Sequence, residues 1–405
     1  MHDVNFLVRE PLLDPKQRIL GFELNWQRPD GSAGPVADAD AADLVRYVAD
    51  CMHDAEGNWL LGENLLFIQA GAALLAEPAL RELPPQKTVL IMASQDLVNT
   101  ETAAAVRELR SAGYHIALKD AEALFHDKNL LLLASWVEIN FSEAAFASQA
   151  RIYAGLKQST IRMVGRGISD WQGYDSCASL GVDAFVGNLY ATPRPGAQAV
   201  GLNPVQSMIL QLMDMVRKNT DVRQLEALLK RDAALSYKLL NYINSAGFGL
   251  GTEIQSLRHA VTMLGYSPLY RWLSVLLATA GTGTQSPVLM QTAVVRGRFV
   301  ELLGKSLLPK NEAENLFVAG MFSLLDRLLG MPMDAVLENI PLSEQVNEAL
   351  LRRQGIYGPF LSLAEACEVG NTTAIGALAD SLFVSATQVN EAHLAALSWA
   401  QSLKL

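Results

Sequence analysis

Ile19-Leu20-Gly21-Phe22-Glu23-Leu24-Asn25-Trp26-Gln27 is an extended apolar run with one glutamate inside it, and it follows a second extended run from Val4 to Leu13. A carboxylate on an otherwise apolar strand is costly to bury unless something neutralises it. Glu23 therefore marks either the first ligand of a metal site or the relic of one. The strands that follow decide between the two.

Short apolar runs alternate with helical patterns from this stretch to about residue 190. Strands are expected at 4–8, 19–26, 65–70, 88–93, 115–119, 136–139, 160–164 and 184–186. Helical spacing falls at 37–52, 72–75, 101–112, 127–134, 143–156 and 171–180, with Gly113 and Gly181 placed as helix-ending glycines. Repeated strand-then-helix units with near-continuous apolar strands predict a parallel sheet, and this many of them predict a (β/α) barrel of the TIM-like α/β class.

Thr192-Pro193-Arg194-Pro195-Gly196, then Gly201 and Pro204, break the alternation. Two domains are expected, at 1–196 and 197–405, and the second reads as all-α. Helices are expected at 205–218 and 221–230, behind the cap Asp232, and behind the cap Ser256 with Leu257, Ala260, Val261 and Leu264 as the buried stripe up to Gly265. Further helices fit 268–280, 287–303, 312–329, 333–339, 342–353, 361–369, 374–382 and 385–401.

Composition narrows the function. Half of the 405 residues are hydrophobic and 18% are charged, enough to build packed cores. The net charge is −10, and residues 1–196 carry 16 basic against 25 acidic residues. No basic run is interleaved with aromatics, so neither nucleic acid nor an anionic membrane surface is an expected partner. Cys51, Cys177 and Cys367 are too scattered for a disulfide framework or a zinc site and are expected as free thiols. With no signal peptide and no apolar stretch long enough to span a bilayer, a cytoplasmic protein is expected. The His-Asp pairs at 2–3, 53–54 and 126–127 lack companion ligands and read as surface pairs, and Gly165-Arg166-Gly167 reads as a loop glycine pair.

Gly21-Phe22-Glu23, Leu66-Phe67-Ile68, Val89-Leu90, Ala117-Leu118-Lys119-Asp120, Trp136-Val137-Glu138-Ile139-Asn140 and Leu180-Gly181-Val182-Asp183-Ala184-Phe185 keep the order and spacing of one family frame. On these residues the first half resembles the EAL family, the cyclic di-GMP phosphodiesterase barrels. The resemblance implies two divalent cations held by carboxylates and an asparagine at the C-terminal strand ends. Carried onto this chain, that constellation keeps Glu23 but has Asn25, Gln27, Gln69, Ile91, Ser94, Lys119-Asp120, Glu138 and Asn140 at the other positions. The late glutamate falls near Ser169, and the Gln-Gly pair becomes Val186-Gly187. A hard dication wants about six oxygen ligands, several of them anionic, so no metal and no cofactor are expected. Glu23 is expected either to pair with Lys119 or to stand solvated at the barrel mouth.

The stretches 232–249 and 254–277 resemble an HDOD domain, a helical relative of the HD phosphohydrolase fold without its metal ligands. Ser323 and Leu324 stand where an HD enzyme would carry its His-Asp pair, and His259 reads as a packing residue. The joint order resembles a bacterial two-domain EAL–HDOD signalling family. It implies a non-enzymatic signal-transduction regulator that contacts other signalling proteins, linked to cyclic di-GMP or motility, with homodimer formation left open. Two alternatives are a nucleotide sensor that binds without cleaving and a residual phosphodiesterase.

Overall fold

The computed structural model describes residues 5–28, 38–53, 57–119, 128–141, 152–194, 202–244, 254, 256–280, 286–340 and 342–403. The chain divides into two compact units. One is Met1–Pro195 with Ala366–Ala377 and Ser385–Asn390, and the other is Gly196–Glu365 with Leu378–Val384 and Glu391–Leu405.

The first unit is an eight-stranded closed barrel: β1 (Phe6–Leu13), β2 (Ile19–Gln27), β3 (Leu65–Gln69), β4 (Thr88–Met92), β5 (His115–Leu118), β6 (Trp136–Asn140), β7 (Arg162–Arg166) and β8 (Ala184–Val186). Every expected strand is present. The expected all-parallel sheet is corrected at one place: β1 runs antiparallel to both β2 and β8. The reason is local. Between β1 and β2 the chain has room only for a tight reversal, whereas a parallel crossover needs a dozen or more residues. Asp14 builds that reversal, its Oδ1 accepting the N–H groups of Lys16 and Arg18 at 2.8 and 2.9 Å, while Gln17 takes φ 60°.

The barrel is filled rather than hollow. Leu12, Phe67, Val89, Ile91, Ala117, Trp136, Val164 and Ala184 form one buried cluster, with large rings set beside small side chains. Phe67 and Trp136 meet edge to face at 5.6 Å, a favoured aromatic geometry. Gly21 is required by close approach, since a Cβ there would fall on the Leu65 carbonyl oxygen of the neighbouring strand. Late chain segments complete this unit: Asn390, fully buried, accepts from Leu7 N at 2.7 Å and donates to Asn5 O at 2.9 Å.

The second unit is helical. The helix over 312–329 expected from spacing is two helices, Lys310–Phe322 and Leu325–Leu329. Ser323 causes the break: its hydroxyl donates back to the Gly320 carbonyl at 2.7 Å, and Leu324 follows at φ −118°, ψ 8°. Such back-bonding competes with the helical ladder. Helix Pro287–Gly304 lies directly against Lys310–Phe322 because Gly297 faces Gly320; a Cβ on Gly320 would come within 2.6 Å of the Gly297 Cα.

Candidate functional site

Side chains alternate along a strand, so two residues beyond the apolar layer comes the next inward-facing layer. From Phe67 this step reaches Gln69, from Ala117 Lys119, from Trp136 Glu138, from Val164 Arg166 and from Ala184 Val186. On β1, which runs the other way, the step from Leu12 reaches Glu10, which pairs in register with Glu23 of β2. Glu10, Glu23, Gln69, Lys119, Glu138 and Arg166 thus share one polar layer at the C-terminal strand ends, where (β/α) barrels carry their sites.

Arg166 organises the layer. Its Nη2 donates to Glu23 Oε2 and to Glu138 Oε1, the latter at 2.6 Å, and Nη1 lies 3.8 Å from Glu10 Oε2. The Glu23 side chain is only 1% exposed, so a buried carboxylate is neutralised here by a protein cation. Glu23 Oε1 also accepts from Asn25 Nδ2 at 3.3 Å and Gln69 Nε2 at 3.1 Å. Burial pushes the Glu138 carboxyl above the usual range, against the pull of Arg166. Glu10 is raised by burial and then by the Glu23 charge. Burial opposes the charge on Arg166, yet the charges of Glu23 and Glu138 prevail and hold its guanidinium more firmly protonated than usual.

The expected pairing of Lys119 with Glu23 is therefore wrong in its partner, and so is the solvated alternative. The Lys119 ammonium donates to Gln69 Oε1 at 3.0 Å and stands exposed, one amide away from Glu23. Arg166 makes the contact because it ends β7 facing inward, rather than lying in a glycine loop as its flanking Gly165 and Gly167 suggest. Alternation on β7, counted from buried Val164, is the signal that finds it. Glu10 is found the same way once β1 is known to be antiparallel.

The remaining positions separate. Ile91 is part of the apolar core, Ser94 opens a short 3₁₀ turn, Gln27 ends β2 half-buried, and Asn140 ends β6 exposed. Ser169 is exposed, and Gly187 follows Val186 with φ 127°. Asp120 lies outside the described residues, as do His2-Asp3, Asp54 and His126-Asp127. His53 packs on Trp59 at 5.4 Å. The three cysteines are free thiols, and burial pushes Cys367 up to about 12.

In the helical unit, Ser323 and Leu324 are both buried, and Ser323 Oγ accepts from Arg296 Nη1 at 2.7 Å. Arg296 also pairs with Glu365 at 3.1 Å, and Arg353 grips the same carboxylate at 2.8 Å. A guanidinium thus stands beside Glu23 in the barrel and another beside Ser323 in the helical unit.

Two divalent cations fit the barrel mouth poorly. Both Glu23 oxygens and Glu138 Oε1 already accept N–H donors. Among the described residues no three His, Cys, Asp or Glu side chains are grouped to hold a metal ion. No helix among the described residues is long and apolar enough to cross a membrane.

Comparison with known proteins agrees with this architecture. Residues 202–333 match the HDOD domain, so the C-terminal part of the chain carries one. Over 98% of its length the chain is 25% identical to the cyclic di-GMP phosphodiesterase CdgJ of Vibrio cholerae, covering 93% of that protein. It is 22% identical to the uncharacterized protein YuxH of Bacillus subtilis, covering 98% of both chains. Among solved structures the chain is similar to EAL domains. It is also similar to Klebsiella pneumoniae BlrP1 in its manganese and cyclic di-GMP complex, 19% identical over 46% of this chain and 55% of that one, TM-score 0.36. With the HDOD match and a phosphodiesterase relative along nearly the whole chain, the two-domain EAL–HDOD resemblance stands. The expectation of a chain without enzymatic activity does not: a relative matched along nearly the whole chain is a phosphodiesterase.

Proposed function

We propose that this chain is a bacterial cytoplasmic protein of cyclic di-GMP signalling, meeting the dinucleotide at its barrel mouth and relaying its state through contacts with other signalling proteins. The observation that carries the reading is the placement of Arg166 and Lys119 in one layer at the C-terminal strand ends, in a chain similar along 98% of its length to a cyclic di-GMP phosphodiesterase. A phosphodiester is an anion that a guanidinium recognises through paired N–H donors. Lys119, exposed at the rim, adds a second cation. The three carboxylates around Arg166 tune that recognition, because an entering phosphate must compete with Glu23 and Glu138 for the same guanidinium. Discrimination by such competition is a sound basis for a sensor, since ligand entry necessarily rearranges an ion network.

Calorimetry of the full chain with cyclic di-GMP, with and without Mg²⁺, tests this, with the linear product followed by chromatography in the same samples. Binding or turnover that falls at least ~10-fold in Arg166→Ala, worth about 1.4 kcal/mol, supports the reading. Neither binding nor turnover at millimolar nucleotide sinks it.

A further inference from the structure

The helical unit holds a cavity of about 630 Å³, open to solvent, between the helices Pro204–Arg217, Tyr266–Thr279, Lys310–Phe322 and Glu344–Arg352. That volume lies within the ~300–1,000 Å³ of small-molecule sites. Its walls are of two kinds. Val318, Leu342 and the rings of Tyr266 and Tyr270 supply apolar and flat surface, while Arg217, Arg271 and Glu314 supply charge.

The charges are unequal around this cavity. Glu314 is engaged by the Ser267 hydroxyl. Arg271 donates to Glu301 at 2.6 Å, but Glu301 is shared with Arg298 at 2.8 Å and Lys305 at 3.5 Å. Two cations, Arg217 and Arg271, line the cavity against one carboxylate, Glu314. The Arg271 guanidinium is also stacked on Phe317 at 3.9 Å, which fixes its plane. Its Nε–H is buried and has no acceptor among the described residues. Burial lowers the proton affinity of Arg271 and raises that of Tyr270 to about 12, both signs of a poorly solvated wall where charge recognition is strong.

We propose that this cavity is a binding site for a small organic anion with a flat, largely apolar body, its acidic group facing Arg271 and its body lying against Tyr266, Tyr270 and Val318. The site is separate from the barrel mouth and does not depend on the function proposed for it. A ligand there would bear on three helices of the HDOD domain at once.

Two fluorescent probes differing only in charge test this on the full chain: 1-anilinonaphthalene-8-sulfonate and its uncharged analogue N-phenyl-1-naphthylamine. The sulfonate is expected to bind saturably at one per chain and at least ~10-fold more tightly than the neutral probe, the size of one charge-assisted contact. Leu342→Trp, which fills the cavity from a half-buried position, is expected to abolish binding of both. Arg271→Met is expected to bring the two affinities within about twofold without weakening the neutral probe. Thermal melting of each variant establishes that it is folded. No saturable site, equal affinities for the two probes in the unmodified protein, or binding unaffected by a folded Leu342→Trp would each overturn the proposal.

Discussion

Arg166 Nη2 sits between Glu23 and Glu138, 2.6 Å from the second, and bridges β2 and β6 with a single nitrogen. Two carboxylates that would otherwise repel are thereby held in one layer. Breaking a buried ion pair by removing one partner costs more than the pair contributes, because the stranded charge remains.

Arg166→Met is therefore expected to lose about 3 kcal/mol of stability, the order found when a buried pair loses one member. Glu23→Gln placed in the same chain should return more than half of that loss. Urea unfolding of the two single variants and the double variant measures the coupling. Additive losses would mean that the contact is energetically idle.

Lys119→Met provides the contrast. Its ammonium is exposed and bonded to an amide rather than a carboxylate, so its loss should change stability by less than ~0.5 kcal/mol. A loss comparable to that of Arg166→Met would restore Lys119 as the partner of Glu23.

Asn390→Leu should cost about 2–3 kcal/mol. It leaves the Leu7 N–H and the Asn5 carbonyl without the partner that satisfies them, each buried group carrying its own desolvation penalty. Amide hydrogen exchange at Leu7 should rise with it. Unchanged protection there would show that β1 does not need this late segment.

Gly320→Ala should destabilise the helical unit strongly, by more than about 2 kcal/mol, because the added methyl meets the Gly297 backbone and Val300. The thermal transition should report it. A neutral outcome would mean the two helices separate without loss.

Glu301 gives the pH dependence. Burial works to raise its carboxyl, but Arg271, Arg298 and Lys305 together hold it below the usual range. A carboxylate whose folded pKa is depressed contributes stability above its unfolded value of ~4.3, and loses it as pH falls through the lower folded value. The stability difference between the unmodified chain and Glu301→Gln should be full at pH 6 and shrink as pH drops below about 4. A difference that stays constant with pH would show that folding does not shift the Glu301 carboxyl.

Much of this was written in the sequence. Alternation of apolar runs with helical spacing placed all eight strands. The caps Asp232 and Ser256 accept helix-opening N–H groups through their side-chain oxygens, as expected. These are local determinants: period, turn chemistry and capping act over a few residues, so a linear reading recovers them. The family frame singled out Glu23, Gln69, Lys119 and Glu138 along with Gln27, Ile91, Ser94 and Asn140, and the folded barrel puts the first four in one layer.

Which of these side chains meet was decided by the tertiary structure. Glu23 and Arg166 lie 143 positions apart, and only closure of the barrel in a fixed register brings them together. The direction of β1, set by a short Asp14-centred turn, added Glu10 to the same cluster. The cavity behind Arg271 has no linear signature, since four helices distant in the chain must pack before it exists. Strand and helix positions follow from the energetics of neighbouring residues. The partner of a buried charge follows from where the packed core leaves it, and that is a property of the folded chain.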